Sequence, residues 1–107
     1  MPKPEQTAEP HFPKLHQGVG QESTGTVTGK HIAAGDTVHL VSRNSNKKWD
    51  GTITSVDSGD TWKAKVKRVL HVKREDERPL GLETVTVTVT NTSGDSNPAD
   101  TQSDVVP

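Results

Sequence analysis

The chain has 107 residues, of which 27% are hydrophobic and 3% aromatic, and its formal net charge is −1. This length allows one small domain, and the low apolar content means that part of the chain cannot bury itself. The near-neutral charge excludes a global attraction to nucleic acid or anionic membranes, and the lack of cysteine excludes disulfides and thiolate metal sites.

Membrane and targeting signals are absent from the sequence. No apolar run approaches the roughly 18 residues of a membrane span. The N-terminal stretch MPKPEQTAEP lacks the apolar centre of a signal peptide. We therefore expect a protein that is made in the cytosol, stays soluble and contacts no membrane. Because a domain of this size buries a small share of its surface, a partner or a homo-oligomer is expected to add burial.

Residues 1–23 are the first predicted element, an extended arm. They contain four prolines and show no apolar periodicity. Proline removes a backbone donor and disfavours helix in the residue before it, so the arm should be extended or irregular. Its apolar side chains are Phe12, Leu15 and Val19. We expect these three residues to anchor the arm on a partner protein.

Residues 24–91 are the predicted domain. Their apolar residues recur with a period of two between frequent turn signals, which is typical of antiparallel β-structure. The strands are expected in GTVTGK, DTVHLVSRN, WDGTITSVD, TWKAKVKRV and LETVTVTVTN. Such short strands fit a small sandwich or a small barrel. The residues expected in the core are Val38, Leu40, Ile53, Trp62, Val66, Val85, Val87 and Val89.

Three lysines, Lys63, Lys65 and Lys67, alternate with apolar residues in the fourth of these strands and should share one face. Between residues 43 and 74 there are nine Lys or Arg and three Asp, a local charge of +6. A basic face beside an aromatic residue can bind single-stranded nucleic acid. Trp62 has the opposite parity, however. We therefore expect Trp62 in the core and the lysines in water, where they protect the sheet from edge-to-edge aggregation.

Residues 92–107 are the last predicted segment. They are polar, with three Asp and no basic residue. This composition predicts an irregular tail that is disordered or docks on a partner.

No pattern in the sequence is typical of a metal or catalytic site. The histidines lack the close spacing that zinc ligation favours; they are His11, His16, His31, His39 and His71. The acidic stretch DSGD at 57–60 is far short of a calcium loop and predicts a hairpin turn. No nucleophile and base are paired, and there is no glycine-rich phosphate loop. We expect no enzyme activity, no metal and no cofactor.

The stretches GTVTG, AAGDTVHLV and GTITSVDSGDTWKAKV and the final Val-Thr strand carry a family resemblance. With them, residues 23–91 resemble the immunoglobulin-like modules of bacterial surface proteins and tailed-phage virion proteins. The resemblance implies an all-β fold, a small antiparallel Ig-like β-sandwich with an extended N-terminal arm and an irregular C-terminal tail. In such a sandwich Trp62 would fill the space between two sheets.

The same resemblance implies a structural protein of a tailed phage, located in the virion as a capsid decoration or tail accessory protein. Its partners would be the major capsid or tail protein, contacted through the arm. One alternative is an isolated module that binds carbohydrate or a cell surface, with Trp49, beside the turn NSNKK, as its exposed aromatic residue and the three lysines nearby. The least favoured alternative is a small basic barrel that binds nucleic acid, which requires an exposed Trp62.

Overall fold

A computed structural model describes residues 2–70 and 79–107; His71 lies outside these ranges. Every regular secondary-structure element in the described ranges is a β-strand, so the predicted all-β class is confirmed. The strands are β1 (Glu5–Gln6), β2 (Lys14–His16), β3 (Glu22–Lys30), β4 (Thr37–Ser42), β5 (Lys48–Ser58), β6 (Thr61–Val69), β7 (Leu82–Asn91), β8 (Gly94–Asp95) and β9 (Ala99–Val106).

The strands pair along one continuous path. Its order is β1-β3-β6-β5-β4-β7-β9-β2, and β8 pairs with β7 beside this path. Strands β4, β5 and β6 form an antiparallel meander, and the predicted DSGD turn joins β5 to β6. The separation into two sheets that a sandwich would have is not seen among the described strands. They form a single curled sheet around one core.

The N-terminal arm supplies the outermost strand at each end of this sheet. β1 pairs antiparallel with β3, and β2 pairs parallel with β9. Between β1 and β2, the backbone of His11 exchanges two hydrogen bonds with Thr26, of 2.9 and 2.8 Å. The arm thus covers the outer edges of β3 and β9, whose unpaired backbone groups would otherwise be open to another chain.

The arm also contributes to the core, which corrects its predicted role. Phe12 and Leu15 are fully buried within the chain. A Cβ atom on Gly25 would overlap the ring of Phe12, so the glycine makes room for the aromatic side chain. The prediction that Phe12 and Leu15 anchor a partner is wrong, because both side chains already pack inside the domain. Val19 is 63% exposed and remains accessible.

The predicted core is otherwise close to the observed one. Seven of its eight residues are at most 2% exposed: Val38, Leu40, Ile53, Val66, Val85, Val87 and Val89. The eighth, Trp62, is only partly buried and packs against the edge of the core. Trp62 follows the turn at the tip of the β5–β6 hairpin, opposite Val27 and Val56. Its parity is as predicted, but its place at the hairpin tip leaves the indole half covered.

Trp49 is the fully buried tryptophan, so its predicted place on the surface is wrong. It has the same parity in β5 as Ile53, and both side chains point into the core. Its indole Nε1 donates a hydrogen bond of 2.9 Å to the carbonyl of His16. The guanidinium of Arg68, its direct neighbour on β6, lies 5.6 Å from the ring centroid, a cation–π distance.

The C-terminal segment is not an irregular tail, since its last part forms β9. Thr101, Ser103 and Val105 are buried, while Gln102 and Asp104 between them are not. This is a regular two-residue alternation, but two of its three inward residues are small and polar. A search for apolar periodicity therefore misses the strand.

A polar cluster occupies the part of the interior where β7 begins. Glu83 is 1% exposed, and the hydroxyls of Ser42 and Ser45 each donate a 2.6 Å hydrogen bond to its Oε1. The Ser42 hydroxyl also accepts hydrogen bonds of 3.1 Å from the amides of Asn44 and Ser45. Because a buried carboxylate is costly unless it is hydrogen-bonded, this cluster ties the β4–β5 turn to β7.

Candidate functional site

The outer face of β3, β6 and β5 carries the three lysines singled out in the sequence. Lys63, Lys65 and Lys67 are exposed, while Ala64 and Val66 between them are buried. The predicted separation of a wet and a buried face on β6 is confirmed. Alternate residues on a strand are about 7 Å apart, so the three stems leave the sheet as an evenly spaced row, the lysine row.

Acidic side chains neutralise both ends of the lysine row. The Nζ of Lys63 lies 3.9 Å from a carboxylate oxygen of Asp57. The Nζ of Lys67 lies 3.9 Å from a carboxylate oxygen of Glu22, and Asp50 is the residue opposite Lys67 on β5. Such exposed pairs add little stability. Their effect is to weaken the positive potential at the two ends of the row.

Lys65, in the middle of the row, has threonines on both sides. Its cross-strand neighbours are Thr24 on β3 and Thr52 on β5. Thr37 and Thr90 continue the same line on β4 and β7. Within residues 2–70 and 79–107, no carboxylate forms an ion pair with Lys65. The centre of the row is therefore a cation among hydroxyl groups.

A groove of about 420 Å³ opens beside Lys65. The arm supplies one wall through His11 and Pro13, and β3 supplies another through Thr24 and Thr26. The wall from the arm exists because the backbone of His11 is bonded to Thr26 at the sheet edge. A groove of this size lies within the usual range for sites that bind small molecules.

The histidines are dispersed over the molecule. His11 lines the groove, His39 pairs with Asp50 across β4 and β5, and His16 lies in β2. His71 lies outside the described ranges. The structure, as far as it describes the chain, contains no group of three or more side chains that could hold a metal ion.

The acidic turn at the tip of the β5–β6 hairpin has a structural role. Gly59 has a φ of 54°, which a tight turn requires and which glycine adopts without strain. The preceding Asp57 directs its carboxylate to Lys63. The prediction of a hairpin turn at 57–60 is thus confirmed.

The residues around the groove come from parts of the sequence that are far apart. The lysine row was predicted, but Thr24, Thr26 and His11 were not assigned to a site. Alternating threonines are visible in the stretch GTVTG. Which lysine they face depends on the pairing of β3 with β6, a contact over about forty residues of chain, and no local pattern determines it.

Comparison with known proteins finds no matching family model, no matching curated protein and no matching solved structure. No helix in the described ranges is long and apolar enough to cross a membrane. Fold and site together define a small all-β domain that presents a lysine- and threonine-rich face.

Proposed function

We propose that the protein is a non-enzymatic structural component of a tailed-phage virion, a capsid decoration or tail accessory protein. The observation that carries this proposal is the covering of both sheet edges by the chain's own arm. A domain whose sheet ends in such short strands offers little free edge for strand addition by another chain. It is suited to attach as one unit to a repeating lattice. The virion setting comes from the sequence resemblance of residues 23–91 to phage immunoglobulin-like modules.

Attachment is proposed to involve the surface of the folded domain, because Phe12 and Leu15 are used internally. Three exposed apolar residues form what we call the apolar rim. They are Val19, Leu70 and Leu82, and their side chains are 63%, 76% and 67% exposed, respectively. These residues lie at one end of the sheet: Val19 bridges to Arg68 near the end of β6, Leu70 follows β6, and Leu82 begins β7. Exposed apolar residues at the same end of a sheet are candidates for an interaction site.

Each contact of this kind is small. On a lattice with many copies, however, weak contacts add up, provided that the geometry lets several form together. A capsid or tail protein with an apolar depression at each repeat would therefore bind the apolar rim strongly enough to keep this protein on the particle.

Cosedimentation with phage particles that lack the protein tests this proposal. The wild type should pellet with the particles at a fixed ratio per subunit. A variant with Val19→Asp, Leu70→Asp and Leu82→Asp should stay in the supernatant, because three carboxylates would be desolvated at the contact. Lys65→Gln, on the lysine face, is the matched control and should pellet like the wild type.

Two outcomes would contradict the proposal. If the wild type stays in the supernatant and mass spectrometry finds no copy in purified virions, the virion role is wrong. If the triple variant pellets as well as the wild type while keeping its fold, attachment does not involve the apolar rim.

Neither alternative function has a specific observation in its favour. A carbohydrate-binding module was expected to expose Trp49, which is buried. A nucleic-acid platform was expected to expose Trp62, which packs against the core.

A further inference from the structure

We propose that the groove beside Lys65 binds a compact oxyanion, a phosphate or sulfate group carried by a small molecule. This site is separate from the apolar rim and does not depend on the virion role. The residues that would contact the anion are Lys65, Thr24, Thr26 and His11, with Lys63 and Thr54 at the margin.

The positive charge for the anion comes from Lys65. Its neighbours across the strands are threonines, and no carboxylate pairs with it in the described part of the chain. An incoming anion therefore has no internal partner to displace. The lysine ammonium is a mobile point charge on a flexible stem, which suits an anion without a fixed orientation.

Hydrogen-bond donors for the anion come from β3. Neither the Thr24 nor the Thr26 hydroxyl forms a hydrogen bond with any described residue. The Thr54 hydroxyl, in contrast, donates to the carbonyl of Lys63 at 3.3 Å. Two free hydroxyls and an ammonium on adjacent strands can together satisfy several oxygens of a phosphate or sulfate.

The size of the ligand follows from the two ends of the lysine row. Lys63 and Lys67 flank Lys65 in the row. Asp57, which pairs with Lys63, and Glu22, which pairs with Lys67, therefore place negative charge on both sides of Lys65. A long polyanion laid along the row would meet these carboxylates, whereas a single anionic group at Lys65 would not. None of the residues that line the groove is Phe, Tyr or Trp, so the large aromatic platform used by single-strand binders is not provided.

The body of the ligand has a wall to pack against. Pro13 and Ala64 line the same groove as Lys65. Small-molecule sites commonly combine apolar walls with a few convergent polar groups. A sugar or similarly sized group that bears one phosphate or sulfate would fit a groove of about 420 Å³.

Titrations followed by amide chemical shifts test this site. The probes are inorganic phosphate, sulfate, glucose 6-phosphate, glucose 6-sulfate and, as the neutral comparison, glucose. Saturable shifts are expected at Thr24, Thr26 and Lys65 with the anions and not with glucose. The two glucose esters distinguish a phosphate source from a sulfate source by their relative affinities.

Substitutions on the same face separate a site from diffuse charge. Lys65→Gln should weaken binding of the better ester by about tenfold or more, equivalent to about 1.4 kcal/mol. Lys67→Gln is the matched control. It should change the affinity for the same ester by roughly twofold or less, since Lys67 is already paired with Glu22. Thr24→Val should also weaken binding, because it removes one donor at nearly constant volume. Thermal unfolding of each variant checks that the fold is kept.

Three results would overturn the proposal. One is the absence of saturable shifts for every anion up to about 10 mM, which is weaker than most specific sites. Another is an equal loss of affinity in Lys65→Gln and Lys67→Gln, which would indicate non-specific charge attraction. The third is tighter binding of a single-stranded oligonucleotide that depends equally on all three lysines, which would indicate a polymer-binding face.

Discussion

The indole Nε1 of Trp49 donates a 2.9 Å hydrogen bond to the backbone carbonyl of His16. This contact joins β5, in the middle of the sheet, to β2, the second strand of the arm. The largest buried side chain of the protein therefore holds the proline-rich arm in place. The arm is a structural part of the domain rather than an appendage to it.

The two tryptophans should differ strongly in their contribution to stability. Trp49→Phe should lower the free energy of unfolding by about 2–4 kcal/mol, because it leaves a gap and deprives the His16 carbonyl of its donor. Trp62→Phe should cost about 1 kcal/mol or less, since this side chain is only partly buried. Urea unfolding measures both values. Similar costs for the two variants would show that Trp49 is not the core tryptophan.

The arm should be needed for folding. Phe12→Ala should destabilise the protein by about 3–5 kcal/mol, as is usual for a buried phenylalanine. Val19→Ala, at an exposed position of the same arm, should change stability by about 0.5 kcal/mol or less. Urea unfolding monitored by circular dichroism compares the two. If Phe12→Ala is as stable as Val19→Ala, the arm does not pack in the core.

The C-terminal strand should tolerate charge on one face only. Ser103→Lys places an ammonium at a fully buried position and should leave the protein largely unfolded or trypsin-sensitive. Gln102→Lys, one residue earlier on the exposed face, should keep the wild-type melting temperature within a few degrees. Limited proteolysis and thermal unfolding report the difference. Equal tolerance at both positions would mean that residues 99–106 form no strand of the sheet.

Asp100 should contribute to the acid sensitivity of the protein. The Thr86 hydroxyl donates to its carboxylate at 2.7 Å and Arg43 at 2.8 Å, and these bonds hold the pKa of Asp100 below its ordinary value of 3.8. The folded state thus binds this proton more weakly than the unfolded state. The stabilisation is complete above the ordinary pKa and is lost as the pH falls through the lowered one.

Asp100→Asn should therefore flatten the decline in stability below about pH 4. Thr86→Val should flatten it in part, because it removes the larger of the two causes. Urea unfolding at a series of pH values measures the slope. An unchanged slope in Asp100→Asn would mean that the carboxylate is not selectively stabilised in the folded protein.

Much of the sheet could be predicted because alternation is a local property. Val85, Val87 and Val89 alternate with threonines, and all three are buried as expected. The lysines of β6 are exposed for the same reason, since successive side chains on a strand must point to opposite faces. The DSGD turn could also be predicted, because its residue types favour the backbone conformation that the turn requires.

The β class, the faces of the central strands and the exposure of the lysine row thus follow from local sequence patterns. Three other features depend on long-range pairing: Phe12 packs in the chain's own core, Ser103 faces inward on a strand, and Trp49 rather than Trp62 is fully buried. Alternation specifies the side of a strand to which a residue points. How deeply that side is covered depends on which distant segments pair with it, and a proline-rich or polar segment acquires order only through those pairings.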